Sequence, residues 1–176
     1  MESWIPSLIL LIPFLGGGGA LLLGLFRLRL TTGILVALAL ISGLGISLRG
    51  ALSLLRAPEG GILGGAFIAG GWPAGVGILL RYQGLSVVMP ILFFLLGLLV
   101  LIHAIAEGER RPVFFGVYAI SLGGMVGVVL SADLFNLFVF FEVLSLSATI
   151  LIAYKRKLPG LYAAFRYLIV TGFSVI

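Results

Sequence analysis

The sequence predicts an all-α integral membrane protein of about six transmembrane helices, with an outer glycine-rich loop between helices two and three. Three observations carry this. Of 176 residues, 61% are hydrophobic and 10% charged, against about 25% charged in a soluble domain. Several apolar runs are long enough to cross about 30 Å of hydrocarbon. No stretch shows the strict alternation of a membrane barrel strand, so helices remain as the element that satisfies its own backbone in lipid.

The spans fall in order at Ile5–Phe26, Leu30–Leu48, Leu85–Ala106, Val113–Ser131 and Leu134–Tyr154, with a sixth from near Leu161. Asp133 is placed to cap the fifth helix, because an aspartate side chain accepts from the free N–H groups of the first turn. Pro159 and Gly160 read as the turn before the sixth. The segment Arg49–Gln83 holds GGILGGAFIAGGWPAGVGILL, rich in glycine with alternating apolar residues. It reads as an ordered extramembrane loop containing a short hairpin, with Trp72 as an interfacial anchor. The rest of residues 1–176 reads as a single membrane domain.

Glycine occurs 26 times, and its spacing builds small-residue ladders at Gly16, Ala20 and Gly24, and at Gly123 and Gly127. Such ladders let helix backbones approach closely. They fit packing into a multi-helix assembly, and equally the general abundance of glycine in membrane helices.

Charge sets the expected orientation. Arg27, Arg29, Arg110, Arg111, Lys155, Arg156, Lys157 and Arg166 fall on one side, and Arg49, Arg56 and Arg81 on the other. The richer side is expected in the cytoplasm of a multi-pass cell-membrane protein, with the N-terminus outside. The net charge of +5 comes from these short clusters between apolar runs, which argues against nucleic-acid binding. The start, MESWIPS, lacks the basic region of a cleavable signal peptide.

There are no cysteines and one histidine, so no cysteine-based iron–sulfur or zinc site arises from this chain. No nucleotide fingerprint, metal-ligand cluster or Ser–His–Asp set is present, so no cofactor, no metal and no catalytic residue of the chain's own is expected.

Glu142 is the residue to explain. It follows the apolar run FNLFVFFEVL, near mid-membrane, where an acidic side chain costs roughly 2.5–3.5 kcal/mol to insert. Such a group normally turns towards protein or a water-filled cavity. Ser145 and Thr149 share its helical face, with Ala153 one turn on, so that face reads as protein-facing and Phe140 as turned to lipid. Glu142 is expected to be buried. The functional reading is a proton- or cation-handling carboxylate; the plainer one is a neutral glutamate hydrogen-bonded inside a bundle. Accessory candidates are His103, Ser145, Thr149 and Arg166. His103 reads as a relay group or as a plain interfacial histidine. Arg166, about one turn into the sixth span, is expected to snorkel to the surface or to pair with a neighbouring chain's carboxylate.

The stretch SADLFNLFVFFEVLSLSATILIAYKR, Ser131 to Arg156, resembles the antiporter-like membrane subunits of complex I, of Mrp-type cation/proton antiporters and of membrane-bound hydrogenases. It is similar above all to the D-type component of Mrp systems. GGWPAGVGILLRYQGLSVVM, Gly70 to Met89, resembles the same family's outer loop and third helix. Gln83 departs from the pattern, where an acidic residue often precedes the GLS motif.

The resemblance implies that Glu142 takes part in proton translocation, paired with a lysine on a seventh helix. It covers the N-terminal third of a full antiporter-like subunit. No lysine lies within a predicted span here. The chain is therefore expected not to work alone, with its C-terminus covered by another chain or by its own continuation. The ladders on helices one and four are expected to offer faces to neighbouring subunits. The resemblance implies a subunit of an ion-translocating complex, moving H⁺ or Na⁺, of the antiport or redox-driven kind. Such a subunit is not catalytic by itself, and works within the lipid bilayer beside other membrane subunits. The alternative is a short structural, non-pumping subunit that fills or seals a membrane arm.

Overall fold

In a computed structural model, the structure describes residues 4–26, 28–56, 66–69 and 77–173. Its elements in chain order are α1 (Ile5–Leu25), α2 (Arg29–Leu55), β1 (Ala66–Ala69), β2 (Ile78–Arg81), α3 (Leu85–Ala106), α4 (Pro112–Leu130), α5 (Leu134–Ala153) and α6 (Leu158–Phe173). Five of the described helices, α1 to α5, are long and apolar enough to cross a membrane. The protein is thus an all-α membrane protein with one small hairpin.

Helix α4 is the hub, packed against α1, α2, α3 and α5, while α6 leans on α5. The hub position follows from glycine. Gly17 of α1 and Gly116 of α4 meet backbone to backbone; a Cβ on Gly17 would lie 2.7 Å from the Gly116 carbonyl oxygen. Further along, Gly123 receives Phe14 of α1, Gly124 lies against the backbone of Leu144 on α5, and Gly127 receives the ring of Phe140. On α1, Gly16 faces Ala39 of α2 and Gly24 faces Pro112. The ladders expected to face other subunits are thus occupied inside the chain, because each missing Cβ makes room for a neighbouring helix.

Two boundaries differ from expectation. Helix α2 runs on through Arg49 to Leu55, since no helix breaker occurs before Pro58. Arg49 lies over the Trp4 ring, 5.8 Å from its centroid. Helix α6 begins at Leu158, with Pro159 and Gly160 inside its first turn. Proline is tolerated there, because its missing N–H would have no intrahelical partner. The turn before α6 is made instead by Arg156, whose φ of 54° is left-handed and whose N–H donates to the Ala153 carbonyl at 2.8 Å.

The expected hairpin exists. Strands β1 and β2 pair antiparallel, Ala66 opposite Arg81 and Ala69 opposite Ile78. Trp72 lies outside the described residues. Strand β2 is fastened on two sides. The Tyr82 hydroxyl donates to the Ser47 carbonyl of α2 at 3.1 Å, over Gly50, and burial pushes its pKa up to about 12. On the other side Leu80 bridges Ser131, and the Ala132 N–H donates to the Leu79 carbonyl at 2.9 Å. These contacts gather the hairpin, the start of α1, the end of α2 and the α4–α5 corner at one end of the bundle. The opposite end carries the α3–α4 and α5–α6 turns with most of the cations.

Candidate ion-translocation site on α5

Helix α5 starts sharply. Asp133 is its N-cap: its carboxylate accepts from the Asn136 backbone N–H at 2.8 Å and from the Asn136 side-chain amide. The same carboxylate accepts from the Leu79 N–H of β2 at 3.3 Å. Burial alone would raise the Asp133 pKa, but these hydrogen bonds favour the charged form and hold it below the usual aspartate value. From the cap to Ala153 there is neither proline nor glycine, so the helix runs unbroken.

Glu142 is half-buried and lies about 12 Å along the axis from Leu134, near the middle of the helix. Residues two apart on a helix point to nearly opposite sides. Phe140 therefore fixes where Glu142 points, and the assignment of Phe140 to lipid is corrected. Phe140 is 8% exposed, set into the notch left by Gly127, with its ring 6.3 Å from that of Phe14. Glu142 lies on the side away from α4, next to the face that meets α6.

That face is polar, as expected. Ser145 is buried and donates to the Thr171 hydroxyl of α6 at 3.0 Å. Thr171 in turn donates to the Tyr167 carbonyl at 2.8 Å. Thr149 donates to the Ser145 carbonyl at 2.9 Å. Glu142, Ser145 and Thr149 thus share one stripe of α5, on which Ser145 makes the bond to α6. Among the described residues, no hydrogen bond or ion pair closes on the Glu142 carboxylate.

The structure does not bring the other two candidates to this stripe. His103 is exposed in the last turn of α3, a helix that leans on α2 and α4. Arg166 is exposed on α6, five residues before Thr171 and so on a different side of that helix. Its depth follows from the Ser145–Thr171 bond. Ser145 lies about 12 Å above Ala153, and Arg166 lies about 7.5 Å below Thr171. That leaves Arg166 about one turn above the end of α5, although it lies more than two turns into α6. The hydroxyl of Thr171 and the second task of Asp133, holding β2, were not anticipated. Asp133 carried a sequence signal for its cap but none for its strand partner, which is 54 residues away. Among the described residues, no three histidine, cysteine, aspartate or glutamate side chains come together to hold a metal.

A half-buried carboxylate at mid-helix, beside hydroxyl groups in a bundle with five helices long and apolar enough to cross a bilayer, fits a multi-pass membrane protein. Comparison with known proteins agrees. The chain is 31% identical over 175 residues to the N-type component of the NADH-quinone oxidoreductase of Desulforudis audaxviator, covering 97% of this chain and 34% of that protein. It is 34% identical over 110 residues to the D-type component of the Na(+)/H(+) antiporter of Alkalihalophilus pseudofirmus, covering 61% of this chain and 22% of that one. No family model matches. Among solved structures, the membrane-bound sulfane sulfur reductase, an archaeal respiratory membrane complex, contains a chain that superposes with a TM-score of 0.83 over 96% of this chain and 34% of its own, at 19% identity. The relatives of this chain are therefore components of an NADH-quinone oxidoreductase and of an Na(+)/H(+) antiporter, and the chain spans about a third or less of their length.

Proposed function

We propose that the chain serves as a membrane subunit of a multisubunit ion-translocating complex, of the antiport or redox-driven kind, in which Glu142 carries protons. The observation that carries this reading is the stripe itself. An acidic side chain at mid-helix is costly in lipid, and here it stands beside hydroxyl groups rather than in the apolar contact with α4. A purely structural α5 would gain stability from an apolar residue at that position. Relatives named as components of an Na(+)/H(+) antiporter and of a quinone oxidoreductase support the same assignment. The remaining partners of Glu142 belong, on this reading, to further membrane segments packed along α5 and α6.

The orientation goes with it. The hairpin end, with the N-terminus and residues 49–83, faces outward from the cell membrane, and the basic end faces the cytoplasm. The decisive experiment is Glu142→Gln in the assembled complex, with ion transport measured beside subunit composition. Transport should fall on the order of a hundredfold, as for loss of a positioned proton carrier, with assembly intact. Normal transport in a fully assembled variant would reject the proton-carrying role and leave the structural, space-filling subunit as the reading.

A further inference from the structure

We propose that the basic end of the bundle holds the headgroup of an anionic phospholipid, on a built site over Tyr154 between α3, α4 and α5. The α3–α4 turn and the end of α5 are locked together there. Glu109 accepts from the Arg110 and Arg111 backbone N–H groups at 3.1 and 2.9 Å, and from the Tyr154 hydroxyl at 2.9 Å. This holds the Tyr154 ring in place and occupies the Glu109 carboxylate. Two cations converge on that ring. The Arg111 guanidinium carbon and the Lys155 ammonium each lie 5.7 Å from its centroid. Arg110, Arg156 and Lys157 are exposed close by in the same two turns, so five cations stand against the carboxylates of Glu107 and Glu109.

Below the cations an aromatic column runs towards the bilayer interior. The Tyr154 ring lies 5.4 Å from that of Phe114, which stacks on Tyr118 at 5.7 Å with planes 3° apart. Tyr118 donates to the Gly97 carbonyl of α3 at 2.8 Å. The three half-buried rings thus cross the face of α4 from α5 to α3. Paired cations at the membrane surface with a rigid aromatic wall beneath them match the two chemistries of one lipid, a phosphate above and acyl chains below. Free phosphate shares only the first of these, so lipid is the occupant the column favours.

The test uses the full chain in phosphatidylcholine vesicles, with spin-labelled phosphatidylglycerol or spin-labelled phosphatidylcholine as probe. The quantity read is the fraction of motionally restricted label. Each cation near an anionic group contributes about fivefold in occupancy, so the anionic probe should be preferred by about fivefold or more at low salt. Arg111→Gln combined with Lys155→Gln should bring the ratio close to one. Arg156→Gln combined with Lys157→Gln should leave most of it. The charge-keeping pair Arg111→Lys with Lys155→Arg should retain it. Equal loss from either glutamine pair would overturn the built site in favour of diffuse surface charge. No preference in the parent chain, or displacement of the labelled lipid by inorganic phosphate but not by chloride at equal ionic strength, would also overturn it. If the Arg111→Gln, Lys155→Gln chain fails to fold by circular dichroism, the Arg156→Gln, Lys157→Gln chain decides: loss of most of the parent chain's preference there sinks the proposal.

Discussion

Ser145 on α5 donates a hydrogen bond to Thr171 on α6, with 3.0 Å between the two hydroxyl oxygens. This bond sets the depth of α6 against the helix that carries Glu142. Helix α6 is otherwise exposed over most of its length and makes its helix contacts with α5. A double-mutant cycle on Ser145→Ala and Thr171→Val should give a coupling of about 0.6 kcal/mol, the usual size for an interhelical hydrogen bond in a membrane. Zero coupling in unfolding measured by a membrane-compatible method would mean that apolar contact alone holds α6.

The α4–α5 contact predicts a sharper effect. A Cβ on Gly127 would intrude on the Phe140 ring, and one on Gly124 would lie 3.1 Å from the Leu144 backbone nitrogen. Gly127→Val should destabilise the bundle by about 1–3 kcal/mol through overpacking. Gly45 has nothing within 4 Å of such an atom, so Gly45→Ala should be neutral or stabilising. Equal thermal stability of the Gly127→Val and Gly45→Ala chains would contradict this packing.

Asp133 links the cap of α5 to the hairpin, so its loss should be felt in both. Asp133→Ala should cost about 1 kcal/mol, as for other caps, and should speed amide exchange at Asn136 and at Leu79 together. The pH dependence follows in sign. The folded-state pKa of Asp133 is lowered, so its contribution is complete above the ordinary aspartate value of about 3.9 and is lost as pH falls through the folded value. An unfolding temperature with the same slope below pH 4 in Asp133→Ala and the parent would remove Asp133 from that account.

Arg156 adopts a left-handed φ of 54° in the turn between α5 and α6, a conformation that glycine takes without penalty. Arg156→Gly should therefore stabilise the chain by about 1 kcal/mol. A loss of stability on that substitution would show that the arginine side chain contributes more than its backbone strain costs.

The orientation is open to single-cysteine labelling, because the chain has no cysteine of its own. Gln83→Cys, beside the hairpin, should react with an impermeant maleimide from outside the cell. Lys157→Cys should react only after the cytoplasmic side is opened. The reverse pattern would invert the proposed topology.

The six helices and their order were legible in the sequence, five of them, α1 to α5, as apolar runs long enough to cross a membrane; the sixth, expected as a span, is a 16-residue helix short of that length. Asp133 marked the start of α5 and the alternating loop announced its hairpin, since caps and strand alternation are local chemistry. The apolar code says only that a face avoids water, and lipid and protein interior are alike in that. Hence Phe140 read as lipid-facing, until Gly127 supplied the notch that buries it. The ladders read equally as external faces, until α1, α2, α4 and α5 filled them with one another. The sequence by itself determined that a carboxylate stands at the middle of α5. Only the packing of α4 and α6 decided which way it points, because a helix fixes the angles between its side chains but not its own rotation against its neighbours.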